Sequence, residues 1–137
     1  ATAAGVYRTT LAVGDLLFLS GHTGDKQNPA FLGRVGEDVD LETAPKAAAY
    51  VARQMLATVR AEVGLLDRVI GPVKVTGFVQ VHPDFKQVSQ VLNGFSEVLA
   101  TAFGDHGCCP RTAVGVAALP ANVCVEVEAI FRLHPDA

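Results

Sequence analysis

The strongest constraint on this chain is a hydrophobic period that switches from two to 3.6 and back, twice. Leu11–Ser20 holds two short extended stretches around Gly14-Asp15, a hairpin signal. From Glu42 onward Ala48, Val51, Met55, Val59 and Val63 recur at three- and four-residue spacing, the apolar stripe of a helix that Gly64 stops. Val73, Val75, Val79 and Val81 then alternate with Lys74, Thr76, Phe78 and Gln80, a strand with one fully apolar face. The helical period returns in Val88, Val91, Leu92, Phe95, Val98, Leu99 and Ala102, with Asp84 the predicted N-cap and Gly104 the stop. Two further strands, Thr112–Leu119 and Val123–Leu133, flank a turn at Pro120-Ala121-Asn122 and predict a C-terminal hairpin.

The order strand, strand, helix, strand, helix, strand, strand fits one α+β domain over residues 1–137. Its single mixed or mostly antiparallel sheet would carry both helices on one face. Residues 21–40, with Gly21, Gly24, Pro29, Gly33 and Gly36, read as a long loop with a brief strand at Phe31-Leu32, and loops of that length are often functional. Thr112, Val114 and Val116 alternate with Ala113, Gly115 and Ala117, so both faces of that strand are small or apolar. Such a strand is buried on both sides, and with no third layer in the chain another subunit is the expected cover. The composition agrees: 50% of residues are hydrophobic and 18% charged, which leaves apolar surface for subunit contacts.

Several function classes are disfavoured. The net charge is −3 and the 11 basic residues are scattered, which argues against a nucleic-acid partner. No apolar run reaches the roughly 20 residues of a membrane span. Ala1–Gly5 have neither the charged nor the apolar region of an export signal. Three cysteines, two of them adjacent at Cys108-Cys109, do not make a disulfide framework, and Cys124 sits in an apolar strand; a reduced, cytoplasmic protein is expected. His22, His82, His106 and His134 form no metal-ligand spacing and read as solvated or loop residues, so no metal is expected. Gly21-His22-Thr23-Gly24-Asp25-Lys26 has the wrong spacing for a phosphate loop.

Chemistry concentrates in the last two strands. Arg111 follows Pro110 among small residues, and Glu126 lies between Val125 and Val127. A carboxylate in so apolar a strand needs a partner or a wet cavity, or it costs several kcal/mol. Two readings stay open on these residues alone: a structural Arg–Glu or Glu–water arrangement holding the hairpin, or a site.

Five ordered blocks carry a resemblance. Leu17-Phe18-Leu19-Ser20-Gly21, Val73 to Val79 ahead of Asp84-Phe85, Pro110-Arg111-Thr112-Ala113-Val114, Ala118-Leu119-Pro120 and Val125-Glu126-Val127-Glu128-Ala129 resemble the RidA (YjgF-like) family from about Tyr7 to Leu133. The resemblance implies a chorismate-mutase-like fold, a homotrimer with clefts between subunits, and hydrolysis of reactive enamines and imines (2-aminoacrylate, 2-imino acids) to 2-keto acids and ammonia without a cofactor. It implies that Arg111 binds the substrate carboxylate, that Glu126 positions the attacking water, and that Ser20 and Tyr7 belong to the cleft. Their separation of thirteen positions, and the fifteen from Arg111 to Glu126, fit the family. The chain also departs from the pattern. Ala113, a substrate-contact position, stands where cysteine is common, Gly115 where an acid is frequent and His22 where glutamine is common. Residues 23–36 differ and the second helix, Asp84–Phe103, is about one turn longer. A trimer that binds a small carboxylate without turnover is the alternative function; a ribonuclease is a weaker one.

Overall fold

The structure, a computed structural model, describes residues 3–135. Its main elements are β1 (Thr10–Val13), β2 (Leu16–Thr23), α1 (Ala44–Val63), β3 (Val69–Gln80), α2 (Val88–Phe103), β4 (Arg111–Val116) and β5 (Val125–Leu133). The five strands form one mixed sheet in the order β1-β2-β5-β3-β4, antiparallel except for the parallel pair β3–β4. Gly14, at φ 59°, makes the tight turn of the β1–β2 hairpin.

Both helices pack on one face. Leu17, Leu19, Val75, Val79, Val125, Val127 and Phe131 point to that side and are buried against Val51, Met55 and Val59 of α1 and Val91, Leu92, Phe95 and Leu99 of α2. Each large side chain buried this way contributes roughly 1.5–3 kcal/mol before entropy is counted. One glycine sets how closely the sheet and α2 approach, and another how closely α1 and α2 approach. A Cβ on Gly77 would collide with Leu92, and one on Gly94 would overlap the backbone carbonyl of Pro45. The other sheet face carries Phe18, Thr76, Val114 and Ile130 and has no layer of the described residues over it; Phe18 is 39% and Val114 37% exposed. No helix among the described residues is long and apolar enough to cross a membrane.

The expected C-terminal hairpin does not form. β3 lies between β4 and β5, and residues 117–124 carry the chain across its end. β5 presents Val125, Val127, Ala129 and Phe131 to the helices, a stripe long enough to be buried at the sheet's centre, whereas β4 offers Arg111, Ala113 and Gly115 there, with no large apolar side chain, and takes the edge. Within one chain β4 is therefore half exposed rather than doubly buried. Asp84 is not an N-cap: α2 starts at Val88 behind Gln87. The Asp84 amide donates to His82 Nδ1 at 3.1 Å and Phe85 N to His82 O at 2.9 Å, so residues 82–85 are spent on a turn. Val73 is 37% exposed because the pairing slips between Pro72 and Lys74. In the long loop, β2 runs on to Thr23, Pro29–Phe31 forms a single 3-10 turn, and Leu32 and Val35 bridge to Val123 and Val81.

Candidate active site

A bulge builds the site. Pairing between β2 and β5 runs to Leu19↔Ala129 and resumes at His22↔Val127, so Ser20 and Gly21 together oppose Glu128. The extra residue inverts the phase of β2. His22, which simple alternation puts on the solvent side with Phe18, turns inward instead and is 5% exposed. Its Nδ1 lies 2.9 Å from the Ser20 carbonyl and its Nε2 2.8 Å from Thr58 Oγ1 on α1. Burial holds its pKa below the ordinary histidine value, against the opposing pull of the Ser20 carbonyl. The neutral ring then donates from Nδ1 to Ser20 and accepts the Thr58 hydroxyl at Nε2. The solvated-loop reading of His22 is thus corrected.

Gly21 presses against Glu126, and a Cβ there would overlap the carboxylate. Glu126 opens into a cavity of about 430 Å³ that Tyr7, Ser20, His22, Lys26, Tyr50 and Pro120 also line. Burial raises the Glu126 pKa, the Glu128 charge raises it further and Lys26 pulls it back. A carboxyl whose pKa is raised by burial holds a proton more readily than a free one, which suits it to proton transfer. Ser20 donates from its amide (3.0 Å) and its hydroxyl (3.3 Å) to the Thr9 carbonyl, which leaves the hydroxyl oxygen free to accept. Tyr7 is half exposed at the rim, its hydroxyl accepting from the Ala4 amide at 3.1 Å.

Arg111 and Ala113 lie elsewhere. They pair with Val75 and Gly77 and so face the helices, whereas Glu126 pairs with Phe78 and faces away from them. Within one chain Arg111 and Glu126 sit on opposite faces with β3 between them, which removes the structural Arg–Glu pair as a reading. The Arg111 guanidinium bonds serines of α2 instead: Nη1 to Ser96 Oγ (2.9 Å), Nη2 to Ser89 Oγ (2.7 Å) and to Ser89 O (3.0 Å).

Sequence reasoning missed Lys26, Tyr50 and Gln80. Gln80 is 3% exposed; its amide nitrogen donates to Gly33 O (2.9 Å) and Asn122 Oδ1 (2.8 Å), and its oxygen accepts the Leu119 amide (2.7 Å). It clamps the turn that brings Pro120 to the cavity, where Ala121 is held at φ 56°. Its place in a polar alternation gave no sign of this. Cys124 is a core residue as expected, its thiol pushed by burial to about 11.

The fold and sequence have clear relatives. Residues 1–132 match the model of the family described as Endoribonuclease L-PSP. Protein TCP17 of Trypanosoma cruzi is 38% identical over 103 residues, covering 74% of this chain; the match spans 64% of that protein's length. The crystal structure of Atu1372 from Agrobacterium tumefaciens, a protein of unknown function, superposes with a TM-score of 0.89 at 38% identity, covering 96% of this chain and 84% of that one. RidA from an Antarctic Psychrobacter superposes with a TM-score of 0.61 at 28% identity, covering 96% and 92%. With its whole core, its bulged β2 and its β5 carboxylate inside that match, the chain belongs to the Endoribonuclease L-PSP family, the family of YjgF and RidA.

Proposed function

We propose that the protein hydrolyses small reactive imines and enamines of 2-amino acids to 2-keto acids and ammonia, as a cytoplasmic homotrimer. In it, Arg111 of one copy completes the Glu126 cleft of the next. The observation that carries the reading is Glu126: a carboxyl with a raised pKa in a cavity of small-molecule size, beside Ser20 and Tyr7. The separation of Arg111 from Glu126 within a chain supports a shared cleft, since a substrate can touch both only across two copies.

The chemistry asks little of the protein. An imine carbon is already electrophilic, so the barrier falls mainly by orientation and by one mobile proton. Arg111 would grip the substrate carboxylate through two parallel N–H bonds, fixing C2 over the cavity. Glu126 takes a proton from water as its oxygen bonds to C2 and the C=N electron pair moves to nitrogen. Returning that proton to nitrogen gives a carbinolamine; Glu126 then takes the C2 hydroxyl proton and passes it to nitrogen as C=O forms and the C–N bond breaks, giving the 2-keto acid and ammonia. An enamine is first protonated at C3 and enters as the imine. Ammonia release from imines made in situ by an amino-acid oxidase tests the reading. Wild type should outpace Arg111→Ala and Glu126→Gln, and equal rates reject it.

A second reading is carboxylate binding at Arg111 without turnover, the guanidinium already holding neutral oxygen acceptors of Ser89 and Ser96 that an anion would replace. Thermal stabilisation by 2-keto acids with no ammonia release would select it. The family description names an endoribonuclease; RNA cleavage that disappears on further purification would dismiss that activity for this chain.

A further inference from the structure

Arg111 is already occupied. A guanidinium offers a carboxylate two edges, Nη1 with Nη2 or Nε with Nη2, and both include Nη2. Here Nη2 donates to two oxygens of one residue, the carbonyl and the hydroxyl of Ser89. Nη1 is tied separately to Ser96 Oγ. Ser89 and Ser96 are seven residues apart on α2, two turns along one face, so they hold the fork from two points. The surroundings of the two serines differ. Ser96 is half buried beneath the guanidinium, while Ser89 stands exposed in the first turn of the helix.

We propose that Ser96 anchors the Arg111 guanidinium while Ser89 occupies the nitrogen that an incoming carboxylate needs, so that a 2-imino or 2-keto acid binds by displacing Ser89. The proposal rests on the reading of Arg111 as the carboxylate-binding residue. A carboxylate gripping the Nε–Nη2 edge would set one oxygen on Nη2 in place of a Ser89 oxygen and the other on Nε, so the exchange trades a neutral acceptor for a charged, bidentate one. An anion that brings only one acceptor to the fork gains less from it. Ser89 thereby sets a threshold in favour of bidentate acids, and Ser96 keeps the fork in place while the exchange occurs.

The two serines should act with opposite sign, a pattern that a purely structural tie between α2 and β4 does not produce. Calorimetric titration of the intact protein with pyruvate provides the test, with melting temperatures recorded for each variant. Ser89→Ala should bind about three- to tenfold more tightly than wild type, the worth of one hydrogen bond to a charged group less what the retained Ser89 carbonyl still holds. Ser96→Ala should bind severalfold more weakly, and Arg111→Ala should lose binding. Detectable binding by Ser89→Ala where wild type shows none also supports the proposal. Unchanged or weaker binding by Ser89→Ala, a shift of both serine variants in one direction, or no binding by either wild type or Ser89→Ala overturns it. If Arg111→Ala binds as well as wild type, the assignment of Arg111 itself fails, which is a different result from failure of the serine pair.

Discussion

Gly21→Ala is the most informative single change in the site, because it adds one methyl group where the structure has no room for it. The new Cβ would overlap the Glu126 carboxylate and lie 2.9 Å from its Cδ and 3.1 Å from its Cγ. Ordinary contact needs 3.4–4 Å, so the Glu126 side chain must swing from Cγ outward. Its terminal atoms are free enough to do so at a cost of about 0.5–1.5 kcal/mol, the range for an off-rotamer side chain. For a domain of this size that lowers Tm by about 2–6 °C. The carboxylate itself moves by about 1 Å, and a displacement of that order costs on the order of 100-fold in rate when the group must meet a reacting atom. The signature is therefore a nearly normal protein with a badly impaired reaction, read by differential scanning calorimetry and by the oxidase-coupled ammonia assay on the same sample. Activity within about threefold of wild type would refute the view that the position of Glu126 limits the reaction. A Tm loss above about 10 °C would instead show that the bulge, not the carboxylate, had absorbed the strain.

Gln80→Leu strands the Leu119 amide, the Gly33 carbonyl and the Asn122 side chain, so the urea midpoint should fall by the equivalent of about 2–4 kcal/mol; an unchanged midpoint would mean that the turn holds itself. Glu128→Gln removes a like charge from beside Glu126, and Lys26→Met removes the opposite one. Activity that needs ionised Glu126 falls as pH drops through its raised pKa, so the acidic limb should move to lower pH in Glu128→Gln and to higher pH in Lys26→Met; shifts in the same direction would exclude Glu126 as the titrating group. Buried neutral His22 makes the folded state bind protons less readily than the unfolded chain. Stability should therefore fall as pH drops below about 6.5 until the lower folded pKa is reached, and His22→Gln should flatten Tm against pH across that window. Equal slopes would place the His22 proton elsewhere.

Much of the fold was legible because periodicity reports burial directly. The stripe Val51, Met55, Val59 could only be one face of a helix, and Gly14-Asp15 between apolar runs could only be a tight turn. Pairing was harder. Thr112–Leu119 and Val123–Leu133, joined by a proline turn, look like a hairpin locally, and nothing in either segment announces that β3 inserts between them. That order is decided by which strand owns enough apolar surface for the centre of the sheet, a comparison among all five. His22 reads as a loop residue because Gly21 looks like the end of the strand, whereas β2 continues through a bulge at Ser20-Gly21 that turns His22 inward. The carboxylate stood out chemically, since Glu126 has apolar neighbours on both sides, whereas Gln80, in a run already polar on alternate positions, did not.

The placement of β5 also bears on biosynthesis. It is made after the other four strands yet lies between β2 and β3, so before it emerges the nascent chain holds two separate ladders, β1–β2 and β3–β4, each with a bare edge facing the gap. Closing that gap requires contacts between the earliest and the latest strands, a long-range step that folds slowly and exposes edges while it waits. The strand that closes it also delivers Glu126 against Gly21. A ribosome-stalled chain lacking residues 125–133 would thus be a good substrate for chaperones and would lack the Glu126 wall of the cavity, so folding and the assembly of the cavity are completed by the same event.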